Sequence, residues 1–156
     1  MPDPAKPLII LGADHAGYQL KESIKNYLRR AGYTFEDMGT ASEEPVDYPD
    51  FARPVAERVA AGGKNCLGIL TCGNGLGMAV AANKVPGIRS IAAHDAQAAR
   101  DGRERIGVNV LSLGSKIMTD AQAFEAVDEF LGAEFEGGRH QRRIDKIAEI
   151  EKTRVR

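Results

Sequence analysis

Leu67-Gly68-Ile69-Leu70-Thr71-Cys72-Gly73-Asn74-Gly75-Leu76-Gly77 is the stretch on which the reading of this chain turns. Leu67 to Thr71 is a short apolar run, and it breaks into a turn holding three glycines. A small-residue helix is expected next, from Met78 to about Asn83. Apolar residues on consecutive positions, rather than alternate ones, mark a strand that is covered on both faces. Working outward, the same unit recurs. Leu8-Ile9-Ile10-Leu11 stops at Gly12, and Leu20, Ile24, Tyr27 and Leu28 follow at helical spacing, ended by Gly32. Thr34 to Met38 is a less apolar strand. Asp50 through Ala61 carries Val55 and Val59 and ends at Gly62-Gly63. Ser90–Ala93 and Val108–Leu113 are further strands, separated by a polar helix from Asp95 to about Glu104. Helices over Ala121–Leu131 and Arg143–Ile150 close the chain. Strand alternating with helix predicts a parallel sheet with helices on both faces. With no repeat or linker, one domain over 1–156 is the simplest organisation.

In open parallel sheets a ligand sits beyond the carboxyl ends of the strands. That rule nominates Gly12-Ala13-Asp14-His15-Ala16-Gly17, then Cys72 to Gly77, then the residues from His94-Asp95 onward. Two of the three histidines, His15 and His94, fall at these ends; the third is His140.

The Cys72 turn puts a thiol just before a helix, where backbone N–H groups lack intrahelical partners and an anion is favoured. Glycines let the backbone approach a ligand closely and turn several amides toward one point, a device for holding an oxyanion. A base and an oxyanion hole in one loop suit proton abstraction beside a carbonyl. The bland reading of a strand-end cysteine is a small apolar residue, and Cys66 is read that way. Gly73-x-Gly75-x-Gly77 is not the dinucleotide pattern G-x-G-x-x-G. A cysteine-dependent phosphatase would need Arg six residues after the cysteine, where this chain has Met78.

The composition sets wide bounds. The 156 residues are 43% hydrophobic and 28% charged, with a net charge of −1. That balance gives no electrostatic reason to expect nucleic acid or a membrane as partner. Two cysteines do not make a disulfide framework. If residues 66 to 72 form a strand, they stand about 20 Å apart, too far to join. The longest early apolar run, Leu8–Leu11, is far short of a signal-peptide core or a membrane span, so a cytoplasmic protein is expected. No His, Asp or Glu cluster has metal-ligand spacing, and neither a metal nor another cofactor is expected.

Together, Gly12–Gly17, Asp47-Tyr48-Pro49, Cys72–Gly77, Ala82-Asn83-Lys84, Asn109-Val110-Leu111 with Gly114-Ser115-Lys116, and Glu136-Gly137-Gly138-Arg139-His140-Gln141 resemble the ribose-5-phosphate isomerase B family. That family also includes the galactose-6-phosphate isomerase subunits. The likeness runs in order from about residue 8 to 150. It implies a Rossmann-like three-layer α/β/α sandwich with a five-stranded parallel sheet, a core over 8–131, and a phosphate-binding segment and dimer-contact helix over 132–156. It also implies a homodimer or dimer of dimers whose active sites draw on two subunits. By position, Cys72 resembles the base that moves a proton between C1 and C2 of a phosphorylated sugar. The amides of Gly73, Asn74, Gly75 and Gly77 would hold the enediolate, Asp14 would sit by the sugar hydroxyls, and Tyr48 would line the pocket. His15, Arg139 and Arg143 resemble the phosphate-binding set, with Lys116 where an Arg is usual, and Arg105 and Asn109 fall at further substrate-contact positions. Some members use Ser in place of the Cys and a Glu later in the loop; here Cys72 is present and Leu76 occupies that region.

Residues alone agree on charge, since guanidinium groups suit phosphate and Arg139, Arg142 and Arg143 cluster beside His140. One departure bears on substrate. Ribose-specific members carry a His-Asn pair, with the His linked to ring opening, where this chain has Arg105-Ile106. A guanidinium stays protonated and cannot trade a proton near neutral pH. The expectation is an aldose–ketose isomerase of the ribose 5-phosphate type. The alternatives are a tetrose 4-phosphate, which closes no furanose ring, a hexose 6-phosphate, or a non-catalytic phosphosugar-binding member.

Overall fold

A computed structural model describes residues 3–154; the outermost residues of the expected 1–156 domain lie outside the described ones. Five strands, β1 Leu8–Ala13, β2 Phe35–Asp37, β3 Cys66–Cys72, β4 Ser90–Ala92 and β5 Val110–Gly114, form one sheet in the order β2-β1-β3-β5-β4. Every pairing is parallel. The helices are α1 Tyr18–Arg30, α2 Pro49–Gly62, α3 Leu76–Ala82, α4 Ala96–Asp101, α5 Asp120–Gly132 and α6 Arg139–Arg154. This is the expected three-layer sandwich.

The central strands show why the apolar runs are continuous. All seven residues of β3 are buried. Leu67 and Ile69 face the layer of α1, α4 and α5 with Ile9, Leu11 and Leu111. Cys66, Leu70 and Cys72 face the layer of α2 and α3 with Ile10 and Val110. Each parity of the strand therefore meets its own core, as a doubly covered sheet requires. Cys66 and Cys72 sit at opposite ends of β3, and both are free thiols.

Element ends differ where local chemistry overrides the sequence pattern. The helix expected to run to Glu104 gives way at Gly102 to a π-helical turn, Gly102–Ile106. Helix α6 begins at Arg139, four residues earlier than its apolar spacing suggests. It lies against the amino-terminal ends of β3, β4 and β5, where its Glu151 carboxylate accepts the Gly87 N–H. No described helix is long and apolar enough to cross a membrane.

One ionic contact has its cation fully enclosed and its anion at the surface. Lys21, on α1, is completely buried, and its ammonium donates to both oxygens of Asp37 at 2.7 and 2.8 Å. Lys25 also donates to Asp37, at 2.7 Å, and the Gly39 amide donates to it at 2.9 Å. Burial works to raise the Asp37 carboxyl, but the donors outweigh it and hold it below its usual 3.8. A carboxyl depressed on folding contributes stability that is complete above its unfolded value and lost as pH falls through the folded one. Asp37→Asn would leave the enclosed Lys21 ammonium with only Glu22, at 3.6 Å, a loss of about 2–4 kcal/mol, since a quarter of the Asp37 side chain is exposed. Thermal melts should show that loss near neutral pH, with the gap between the two proteins closing below about pH 4.

Candidate active site

Strand β1 leads by α1 to β2 at one edge, whereas β3 leads by α3 toward β4 at the other. The crevice between the carboxyl ends of β1 and β3 is the place where the strand order diverges. A cleft of about 520 Å3 opens there, lined by Asp14, His15, Tyr48, Cys72, Gly73, Asn74, Gly77 and Lys116, with Ala16 and Ile117.

Each wall is fixed by hydrogen bonds made near the backbone. Asp14 is buried and accepts the Gly17 N–H at 3.0 Å through Oδ1, closing a local turn that opens α1. Gly17 passes so near β3 that a Cβ there would lie 2.2 Å from the Thr71 carbonyl oxygen; no other residue fits. Thr71 Oγ1 donates to the Gly17 carbonyl at 2.8 Å, and Ser115 Oγ donates to that of Ala16 at 2.7 Å. The loop after β5 is laced to the cysteine loop in turn. Ser115 N–H donates to the Cys72 carbonyl and Lys116 N–H to that of Gly73, both at 2.9 Å.

Cys72 is 4% exposed. It packs with Met78 and its neighbours on one side and borders the cleft on the other. The Gly75 N–H points at its sulfur, 3.1 Å away, and an amide so placed stabilises negative charge on sulfur. The Leu76 N–H is taken by Asn74 Oδ1 at 3.0 Å. Among the described residues, the amides of Gly73, Asn74 and Gly77 donate to no protein acceptor. They remain for an oxyanion. Tyr48 closes the opposite wall, with its ring so close over Gly77 that a Cβ there would lie 2.7 Å from Cζ.

His15 is oriented by a contact that nothing in the residue pattern announces. The Val46 N–H donates to His15 Nδ1 at 3.2 Å, so a neutral imidazole carries its proton on Nε2 and offers it as a donor. The loop bearing Val46 and Tyr48 is anchored where it leaves β2. There Thr40 N–H donates to Ala13 O, Ala13 N–H to Gly39 O, and Gly39 N–H to the Asp37 carboxylate. The Lys21–Asp37 ion pair thus lies at the base of the loop that orients His15.

Residues 9–147 match the model of a family described as Ribose/Galactose Isomerase. The ribose-5-phosphate isomerase B of Escherichia coli is 43% identical over 94% of this chain and 97% of its own length. The chain belongs to the ribose/galactose isomerase family. Among solved structures, the ribose-5-phosphate isomerase B of Clostridium thermocellum superposes with a TM-score of 0.92 at 47% identity, covering 95% of this chain and 99% of that one. The enzyme of Mycoplasma genitalium, solved with ribulose-5-phosphate bound, does so with a TM-score of 0.90 at 42% identity, over 93% and 96%.

Of the residues that the family resemblance points to, one chain gathers Asp14, His15, Tyr48, Cys72, Gly73, Asn74, Gly77 and Lys116 around the cleft. Gly75 stands behind them, with its amide directed to Cys72 sulfur rather than left open for an oxyanion. Arg105, Asn109, Arg139 and Arg143 are not brought to it. Arg105 lies in the π-helical turn and Arg139 and Arg143 open α6, toward the other end of the sheet. Both ends of the Asn109 amide are occupied, Oδ1 by the Arg89 N–H at 2.8 Å and Nδ2 by the Gly87 carbonyl at 2.9 Å. Sequence reasoning passed over the Val46 amide and the Ser115 hydroxyl. Ser115 was within reach, since it stands inside a quoted motif; a backbone amide has no residue signature.

Proposed function

We propose that this chain interconverts a phosphorylated aldose and its ketose through a cis-enediolate, with Cys72 as the base. The observation that carries the reading is one loop that sets a cleft-facing thiol beside three amides without protein acceptors. Relatives named ribose-5-phosphate isomerase B, one of them solved with ribulose-5-phosphate, support the same chemistry.

In the proposed reaction Cys72 thiolate takes the proton from C2 of the open-chain aldose. The electron pair moves into the C1–C2 bond and the charge settles on the C1 oxygen, held by the amides of Gly73, Asn74 and Gly77. Returning the proton from sulfur to C1 gives the ketose, while the hydroxyl proton passes from O2 to O1. The Asp14 carboxylate, with only Oδ1 engaged by Gly17, is the group that accepts from those hydroxyls. His15 Nε2 and Lys116 supply donors for the phosphate. No metal or other cofactor enters this scheme.

Arg139, Arg143 and Arg105 join the site on this reading only from a second copy of the chain. Leu76 and Val80, 49% and 62% exposed on α3 beside the cysteine loop, support a homodimer, as do Ile147 and Ile150, 42% and 60% exposed on α6. Two such dimers can pair further. The reduced, free Cys66 and Cys72 fit a cytoplasmic setting. A second reading on substrate rests on Arg105, which cannot serve as a ring-opening acid–base group; a tetrose 4-phosphate needs none.

Cys72→Ala is expected to lower turnover by at least about 10²- to 10⁴-fold with a near-native melt, and to abolish exchange of the C2 proton of bound sugar with deuterated water. Exchange that persists in the variant removes Cys72 as the base, and no exchange in the parent chain makes the protein a binder only. Shared sites predict that inactive Cys72→Ala and inactive Arg139→Ala/Arg143→Ala chains, mixed and allowed to re-pair, recover about a quarter of parental activity. Side-by-side turnover of ribose 5-phosphate and erythrose 4-phosphate assigns the sugar: a higher kcat/KM for the tetrose is the outcome that Arg105 favours, and clear preference for ribose 5-phosphate retires that second reading.

A further inference from the structure

The molecule has a second cavity, of about 650 Å3, between the inner side of α6 and the amino-terminal ends of β3 and β5. It is one β3 length, about 20 Å, from the Cys72 loop. Gln141, Ile144, Asp145 and Ala148 form its α6 wall, a spacing that keeps them on one helical face. Arg139 and Arg143 lie two residues to either side of Gln141 and so point to the opposite face. The cavity is therefore separate from the basic stripe assigned above to a partner's site.

Its lining carries an excess of positive charge, three cations against the one carboxylate of Asp145, which accepts from Gln141 Nε2 at 2.7 Å. Arg89 and Arg103 both line the cavity, with Lys64 exposed at the rim. The arginines that form ion pairs are Arg53, Arg58 and Arg100; among the described residues Arg89 and Arg103 form none. Arg89 Nε donates to the Ile106 and Gly107 carbonyls at 3.0 Å, and one Arg103 Nη donates to the Val108 carbonyl at 3.2 Å. These contacts pin both planar groups in place while leaving other donors free. Arg103 Nε is buried with no acceptor at all, a costly arrangement for a cation. Burial pushes both guanidiniums below their usual range, and the positive charge of Arg89 adds to the effect on Arg103, while the more distant carboxylates of Glu151 and Glu134 offset only part of it. Two fixed, desolvated, like-charged forks facing one space are what a tetrahedral dianion satisfies. On the remaining walls Phe135 and Ile144 offer apolar surface to whatever carries it, and the volume suits a small organic ligand.

We propose that this cavity binds a small organic phosphate monoester, with its phosphoryl group between Arg89 and Arg103 and its organic part against Phe135 and Ile144. The site is independent of the isomerase reading. Phenyl phosphate is the probe, titrated into the full-length, ¹⁵N-labelled protein. Saturable shifts are expected at the Arg103 and Arg89 Nε–H signals and at the Gly107 amide. Lys64→Glu, a change at an exposed rim residue outside the cysteine loop, should weaken that binding about tenfold while leaving the remaining spectrum in place. Shifts confined to the Gly73–Gly77 amides would overturn the proposal, as would an affinity untouched by Lys64→Glu. Neither result depends on turnover, so loss of the isomerase reading and loss of this one are distinguishable.

Discussion

Strands β1 and β3 have water on neither face. Every side chain along them must be apolar or have its polar atoms satisfied within the protein, which Thr71 manages through the Gly17 carbonyl; on the neighbouring β5, Ser112 does so through Ser90. Such strands cannot host a substrate along their length. Chemistry is forced to their ends, and in a parallel sheet all the carboxyl ends lie together. Asp14 and Cys72, each near or at a strand's last residue, become neighbours for that reason, although 57 residues of chain separate them.

What the strands cannot do, the loops must do with great economy. The cysteine loop spends one amide on sulfur, one on the Asn74 side chain, and keeps three unspent. It is held in shape by the loop after β5, through Ser115 and Lys116, and by the tight passage of Gly17 beneath it. Loops from β1, β2, β3 and β5 all converge on one cleft of modest size, so each is rigid only because the others are. The opposite end of the molecule has another economy. There Arg89 and Arg103 use part of their donor sets to fold the turn before β5 and leave the rest unsatisfied.

Much of the architecture was legible in the residues. Continuous apolar runs such as Leu8–Leu11 gave away doubly covered strands, and the glycine-rich break after Thr71 marked the loop that forms the cleft. Less legible was anything set by side-chain contact across the fold. The π-helical turn at Gly102 is accompanied by Arg103 and Arg89 donating to the carbonyls of Ile106, Gly107 and Val108, contacts that no local periodicity encodes. The early start of α6 escaped because Arg139, His140, Gln141 and Arg142 carry no apolar stripe. Asn109 belonged to a recognisable motif, yet its amide ties Arg89 to Gly87, a role only tertiary structure could reveal. The orientation of His15 depends on a backbone N–H, to which sequence is blind.

The half-enclosed Lys21–Asp37 contact has a consequence for ancestry. A lineage that replaced Asp37 first would leave the enclosed Lys21 ammonium facing only Glu22, at 3.6 Å, at the foot of the segment that steers His15. Such an intermediate would lose stability and local order together, so selection would meet the first substitution before a second could repair it. Replacing Lys21 first is the milder route, because Asp37 keeps Lys25 at 2.7 Å and part of its side chain in water, so the order of the two changes matters.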